Sequence, residues 1–298
     1  MLKVTNVTKY YGDFKAVDNI SFEVKEGEIF GLLGVNGAGK TTTFRMITGL
    51  LDISQGKITL DGKKIDYNIT DKIGFLTEER SLLTKLTVRE QFMFFGALKG
   101  MTDEEIEKRM DELLKEFGIE EYRERKIKEL SKGNQQKIQF ITAILHNPKL
   151  LILDEPFSGL DPINVELFKK TILKLAKNGS MIIFSSHRME HVELFCEKLM
   201  ILLNGKPVLE GYLKDIKEQY QKKNILIKGN LTKEDLEQIP GVIQVDKNLN
   251  EFSVKIKDKT FIETVFDEIK KYKITKFVVE EPSLNEIFVE KVGENYEK

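Results

Sequence analysis

The sequence predicts an α/β protein in two parts: a large unit with a mixed sheet, an antiparallel β subdomain and a helical insert, and a small C-terminal α+β unit. Three observations carry this expectation. The apolar runs Ile29-Phe30-Gly31-Leu32-Leu33, Leu150-Leu151-Ile152-Leu153 and Met181-Ile182-Ile183-Phe184 are short and unbroken, as strands buried on both faces of a parallel sheet must be. Segments near the first of them alternate instead, as in Ser21-Phe22-Glu23-Val24, which marks a half-buried antiparallel strand. Beyond residue 221 the pattern runs strand, helix, strand, strand, helix, strand. At 298 residues the chain also exceeds one average domain and suits two.

Composition narrows the classes of function. Basic and acidic residues number 47 and 48, for a net charge of −1, so the basic excess of a protein that neutralises nucleic-acid phosphates is missing. The one cysteine, Cys196, lies in the apolar segment Val192-Glu193-Leu194-Phe195-Cys196 and reads as a small buried hydrophobe. No disulfide can form within the chain, which fits a reducing cytoplasm. No apolar run approaches the roughly 18 residues of a membrane helix. Met1-Leu2-Lys3-Val4-Thr5-Asn6 lacks the apolar core of a signal peptide. The expectation is a cytosolic chain whose membrane role, if any, comes through a partner.

The elements follow in order. Leu2 to Val7 and Ala16 to Val24 read as strands, with Lys9-Tyr10-Tyr11-Gly12 as a turn bearing adjacent aromatics. The strand from Ile29 then enters Gly34-Val35-Asn36-Gly37-Ala38-Gly39-Lys40-Thr41, which satisfies G-x-x-x-x-G-K-[ST], and helix-compatible Thr41 to Thr48 leads out. Glycines let the backbone curl so that amide N–H groups point inward, and the next helix offers its unpaired N–H groups and positive dipole end to the same anion. This is a phosphate site: Lys40 would reach the β- and γ-phosphates of a nucleotide, and the Thr41 hydroxyl would bind Mg²⁺. Either tyrosine of the preceding turn then caps the core or stacks on a base.

Gly56 to Gly62 and Lys72 to Glu78 read as strands with turns. Capping boxes at Thr87-Val88-Arg89-Glu90 and Thr102-Asp103-Glu104-Glu105 open two helices, so residues from about 80 to 147 form the helical insert. Its Phe92, Phe94 and Phe95 read as core, with an exposed apolar patch left open. Ser131 caps a helix running to His146, and its hydroxyl with Gly133 describes a second anion site. Asp154 and Glu155 end the buried run from Leu150, at the strand end where α/β sheets bind ligands. There Asp154 suits Mg²⁺ and Glu155 suits polarising a water.

Asp161-Pro162 is an N-cap and N1 pair. Ser180 to His187 brings one of three histidines to the same sheet edge, for a phosphate contact. A hairpin (Met200 to Glu210), a short helix (Lys214 to Tyr220) and a linker (Gln221 to Asn224) close the large unit, residues 1–220. In residues 221–298 the β-α-β-β-α-β order is that of a ferredoxin-like fold. A last helix, Ser283 to Val292, follows, and this unit holds no constellation of chemical groups.

Gly34 to Thr41, Leu130 to Gln135, Leu150 to Pro156, Ser158-Gly159-Leu160-Asp161 and His187 resemble, in order and spacing, the ATP-binding cassette (ABC) ATPases over about residues 2–220. The resemblance implies a P-loop NTPase cassette, with ATP and Mg²⁺ as its cofactors. Residue by residue, Gly34, Asn36, Gly37, Ala38, Gly39, Lys40, Thr41 and Thr42 match the Walker A loop, and Tyr11 the adenine-stacking aromatic before a glycine. Asp154 matches the Walker B magnesium carboxylate, Glu155 the catalytic carboxylate, His187 the switch histidine, and Ser131 with Gly133 the signature motif. Asp161 matches the loop that couples two cassettes.

Glu78 stands where most cassettes carry a glutamine that touches Mg²⁺, and Lys132 and Asn134 depart from the usual signature. With the phrase Ile73 to Arg80 and the tail Glu281 to Phe288, these departures resemble the bacterial export branch that includes the sodium-efflux cassettes. The resemblance further implies a head-to-tail homodimer in which Ser131 and Gly133 act in trans. It implies a separate transmembrane permease contacted around Glu79 to Gly100, a cytoplasmic, peripheral place on the inner face of the cell membrane, and no nucleic acid. A soluble cassette acting on nucleic acid or ribosomes is a rival, opposed by the single cassette copy and the lack of room for coiled coils between Lys40 and Ser131. An importer motor is another, opposed by Glu78 and the C-terminal unit.

Overall fold

A computed structural model describes residues 1–296 apart from Asp66, Arg80 and Gln221. Arg80, which ends the phrase from Ile73, and Gln221, first residue of the expected linker, therefore lie outside the described residues. Two compact units emerge, Met1–Glu210 and Gly211–Lys298. The cut precedes the short helix expected at Lys214 to Tyr220, whereas composition shifts only after it; a short amphipathic sequence does not say which unit it packs on.

In the first unit, β1 (Leu2–Tyr11) and β2 (Phe14–Val24) pair antiparallel, and β3 (Ile29–Gly34) leads through a loop to α1 (Lys40–Ile47). Two short strands, β4 (Gln55–Leu60) and β5 (Lys63–Lys64), complete a four-stranded sheet of order β2-β1-β4-β5. The β1–β2 pairing continues to Tyr11 opposite Phe14, so both tyrosines sit on a strand and the turn is Gly12-Asp13. The expected turn at Lys9 to Gly12 is corrected accordingly: aromatic side chains favour the pleated ladder, and Gly12 supplies the positive φ of 57° that the reversal needs.

Five further strands join β3: β6 (Ile73–Leu76), β7 (Leu150–Asp154), β8 (Met181–Ser185), β9 (Lys198–Leu203) and β10 (Lys206–Tyr212), in the order β10-β9-β3-β8-β7-β6. Strands β6, β7, β8, β3 and β9 run parallel, and β7 and β8 are buried at every position. Phe22 of the antiparallel sheet stacks on Phe30 of β3 with centroids 4.7 Å apart, which joins the two sheets in one core.

The insert holds α2 (Val88–Leu98), α3 (Asp103–Glu116) and α4 (Lys132–Ile144). Both expected capping boxes are present, at Thr87/Glu90 and Thr102/Glu105. Then α5 (Pro162–Lys177) connects β7 to β8, and α6 (Met189–Phe195) connects β8 to β9. Cys196, just after α6, is buried, and burial pushes its thiol pKa up.

The second unit comprises α7 (Leu213–Gln219), β11 (Lys223–Gly229), α8 (Lys233–Glu237), β12 (Val242–Asn248), β13 (Glu251–Ile256), α9 (Phe261–Ile269), β14 (Ile274–Glu280) and α10 (Leu284–Tyr296). Its antiparallel sheet has the order β12-β13-β11-β14. Alternate residues Ile225, Ile227, Val254 and Ile256 pack with Leu236, Val265 and Ile269 from α8 and α9 in a core of their own. Asn224, of opposite facing on β11, donates to Glu286 of α10 at 2.8 Å. Among the described residues no helix is long and apolar enough to cross a membrane.

Candidate active site

The parallel sheet sets the site, because β3, β7 and β8 are neighbours and all end on one side. From β3 the chain turns through residues 34–39 into α1. Gly39 holds φ at 103°, and a Cβ added there would lie 2.7 Å from the Ala16 carbonyl oxygen, so glycine is required where the loop passes under β2. Lys40 Nζ donates to Gly34 O at 2.7 Å and Val35 O at 3.2 Å, spanning its own loop. Burial lowers its ammonium pKa, against the raising charges of Asp154, Glu155 and Glu78. The ammonium is thus held by two loop carbonyls, within the field of three carboxylates, where phosphates are expected.

At the end of β7, Asp154 lies opposite Ser185 of β8. Ser185 Oγ donates to Asp154 Oδ1 at 2.6 Å, and Thr41 Oγ1 reaches Oδ2 at 3.5 Å. Asp154 is buried, and burial raises its carboxyl pKa while the Ser185 hydrogen bond pulls it down. One carboxylate oxygen is therefore committed to the scaffold, and the other turns toward the Thr41 hydroxyl. No cluster of three or more His, Cys, Asp or Glu side chains among the described residues is arranged to hold a metal alone. Mg²⁺ characteristically takes one or two carboxylates and completes its shell with waters and substrate phosphates. The Thr41 hydroxyl and Asp154 carboxylate fit such an ion.

Glu155 departs from the strand with φ of +51°, a costly conformation for a residue with a side chain. Its N–H donates to Ser185 O at 3.3 Å and Ser185 Oγ at 3.2 Å. The turn sends its carboxylate to His187, whose Nδ1 is 2.9 Å from Oε2. Side-chain exposure is 10% for Glu155 and 71% for His187, so the histidine forms the mouth and the carboxylate the wall behind it. Burial raises the Glu155 pKa; the charge and hydrogen bond of His187 oppose that rise. A carboxylate in that position can orient a water and take its proton.

These groups line one cleft of about 840 Å³. Tyr11, Asn36, Gly37, Ala38, Gly39, Lys40, Thr41 and Thr42 line it together with Glu78, Asp154, Glu155 and His187. Gly34 contributes the carbonyl that Lys40 bonds. Of the two tyrosines only Tyr11 lines the cleft; each ring has a lysine ammonium nearby, Lys9 at 5.3 Å from Tyr11 and Lys15 at 5.4 Å from Tyr10. Sequence reasoning missed Phe14, 68% exposed at the rim, and Ser185. An aromatic just past a Gly-Asp reversal was the available signal for Phe14; Ser185 becomes legible only once β8 is known to neighbour β7.

Ser131 and Gly133 do not line this cleft. Ser131 is exposed at the start of α4, where its Oγ accepts from Asn134 N–H at 3.3 Å. Nothing lies within 4 Å of a Cβ added at Gly133. Asp161 caps α5, accepting from Asn164 N–H at 2.9 Å.

Two family models match the chain: ABC transporter over residues 17–158, and ATP-binding protein DrrA1-3-like, C-terminal domain, over residues 211–292. The uncharacterized ABC transporter ATP-binding protein YhaQ of Bacillus subtilis is 50% identical over 298 residues, the full length of both chains. The chain belongs to the ATP-binding subunits of ABC transporters. Like other ABC cassettes it is an ATPase. The bacitracin transport ATP-binding protein BcrA of Bacillus licheniformis is 33% identical, over 98% of this chain and 97% of its own. Among solved structures, the dimeric bacterial cassette MJ0796 superposes with a TM-score of 0.66 at 30% identity, covering 72% of this chain and 99% of the other.

Proposed function

We propose that this cassette is the motor of an exporter, working as a head-to-tail homodimer bound to a separate membrane-spanning permease on the inner face of the cell membrane. The observation that carries the reading is an incomplete site. Lys40, Thr41, Asp154, Glu155 and His187 line one cleft, whereas Ser131, exposed, and Gly133, half-buried, the other residues with an anion-binding rationale, lie outside it. In the dimer, Ser131 and the α4 N-terminus of one copy close over the γ-phosphate held by the other copy's Lys40. Phosphoryl transfer needs positioning and charge neutralisation more than covalent help, so hydrolysis waits for that closure.

Within each half, Tyr11 stacks on the base, and the loop from Gly34 to Thr42 cradles the phosphates. Thr41 and Asp154 would hold Mg²⁺, with Glu78 lining the same cleft, and a bound ion would supply positive charge to offset that of the phosphates. Glu155 orients the attacking water and accepts its proton, and His187 contacts the γ-phosphate. Export is favoured by the full-length likeness to a bacitracin transport protein. The permease contact is assigned to α2 and the apolar cleft beside it, about 410 Å³, lined among others by Leu50, Ile73, Phe75 and Phe95. On α2, Phe94 and Leu98 are 48% and 61% exposed, an apolar surface that suits a protein partner.

The test is Glu155→Gln. It should bind ATP, lose nearly all turnover and accumulate as a dimer in light scattering. Rapid hydrolysis by that variant would overturn the role of Glu155.

A further inference from the structure

Helix α4 begins at the exposed Ser131, and further along it two buried glutamines reach the loops of its own cleft. Gln139, 5% exposed, donates from Nε2 to Thr77 O at 3.0 Å, Thr77 Oγ1 at 3.2 Å and Glu79 O at 3.1 Å. Three acceptors around one end of the side chain identify that end as the amide NH₂. Thr77 Oγ1 in turn donates to Glu79 O at 2.6 Å, closing residues 77–79 into a tight strap. Glu78 stands at the middle of the strap, on the wall of the nucleotide cleft. Three residues earlier on the helix, Gln136 donates to Pro156 O at 3.4 Å, directly after Glu155. One helix thus bonds both segments that carry carboxylates into the cleft, while its first turn is the part assigned to the second copy's nucleotide.

We propose that Gln139 is the positioning residue that sets Glu78 in the cleft, and that through it engagement of Ser131 with the partner's nucleotide alters the geometry of this copy's own site. The inference rests on the dimer reading above. A helix moves as a body in shifts of about 1–2 Å, and a hydrogen bond does not survive a lengthening of that size. The strap must therefore follow α4 or lose its bonds. Burial makes the loss matter on the helix side, because the amide of Gln139, 5% exposed, would be left unbonded at a desolvation penalty. The link is polar, so it can be cut while the space stays filled.

The experiment compares Gln139→Leu with the unsubstituted chain in two backgrounds, native Glu78 and Glu78→Gln. Gln139→Met serves as a second apolar form should the branched side chain disturb folding. ATP affinity of the monomer, kcat, and ATP-driven dimerisation are measured in each. Monomer affinity should stay within about twofold, since Lys40 and Tyr11 are untouched. With Glu78 present, kcat and dimerisation should fall about tenfold, and with Glu78→Gln the same substitution should cost less than about twofold, the non-additivity of residues acting through one another. Equal losses in both backgrounds, or none in either, would overturn the role of Gln139. Collapse of the fold in both the Leu and Met forms would also overturn it, by assigning Gln139 to packing alone. Failure of the dimer reading looks different: Glu155→Gln with native Gln139 would bind ATP and remain monomeric, and the inference would fall with it.

Discussion

Asp154 and Glu155 are adjacent in sequence, yet their surroundings give them separate tasks. Ser185 and Thr41 engage the two oxygens of Asp154, whereas the left-handed turn at Glu155 delivers its carboxylate to His187. The base role proposed for Glu155 requires an ionised carboxylate, and burial raises its pKa, so the acid limb of kcat should lie above the ordinary glutamate value of 4.5. His187 pulls that pKa down, so the residual activity of His187→Ala should show its acid limb at still higher pH in a pH–rate profile. Asp154 has the same sign: a folded pKa above 3.8 contributes stability below the unfolded value and loses it as pH rises through the folded one. Nucleotide-free Asp154→Asn should therefore melt above the unsubstituted chain at pH 7, and the gap should close when the pH falls below 3.8, as calorimetry can check. Tyr11→Ala should weaken ATP binding by about 1–3 kcal/mol, the range for base stacking on aromatics. Titration calorimetry measures this, and an unchanged affinity would remove the stacking role.

At the scale of elements, the site exists because glycines allow three close approaches that larger residues would forbid. Besides Gly39, Gly74 brings β6 against α4: a Cβ there would lie 2.2 Å from Ala143 O. Gly74→Ala should destabilise the chain by about 1–3 kcal/mol, as overpacking does, visible as a lower denaturant midpoint. At Gly34 the approach is to Leu202 O of β9, 2.5 Å from a built Cβ. The strand runs, the phosphate loop and both capping boxes were legible in the sequence because each is a local pattern. Ser185 and Gln139 were not, since each acquires its role from a neighbour remote in the chain, Asp154 and Thr77; Phe14 carried a local signal, an aromatic just past the Gly12-Asp13 reversal, that was passed over. The end of β1 was misjudged for a related reason, as Gly12 advertised a turn without saying that pairing continues to its edge. From the residues alone Tyr10 and Tyr11 were alike, and in the structure it is the cleft, lined by Tyr11, that separates them.

For the whole molecule, two units with separate cores divide the labour. The first carries every group assigned to the nucleotide; the second is an antiparallel sheet with helices and, among the described residues, no comparable cluster. The central proposal is that a second copy completes the cleft of the first unit through Ser131 and Gly133. Mixing two inactive variants tests this most directly. Lys40→Ala removes the phosphate-holding half, and Ser131→Arg blocks the completing half. Each variant alone should be inactive in ATP hydrolysis. A mixed dimer pairs the intact Lys40 of one chain with the intact Ser131 of the other, so hydrolysis should reappear on mixing; a mixture as inactive as its components would contradict completion in trans.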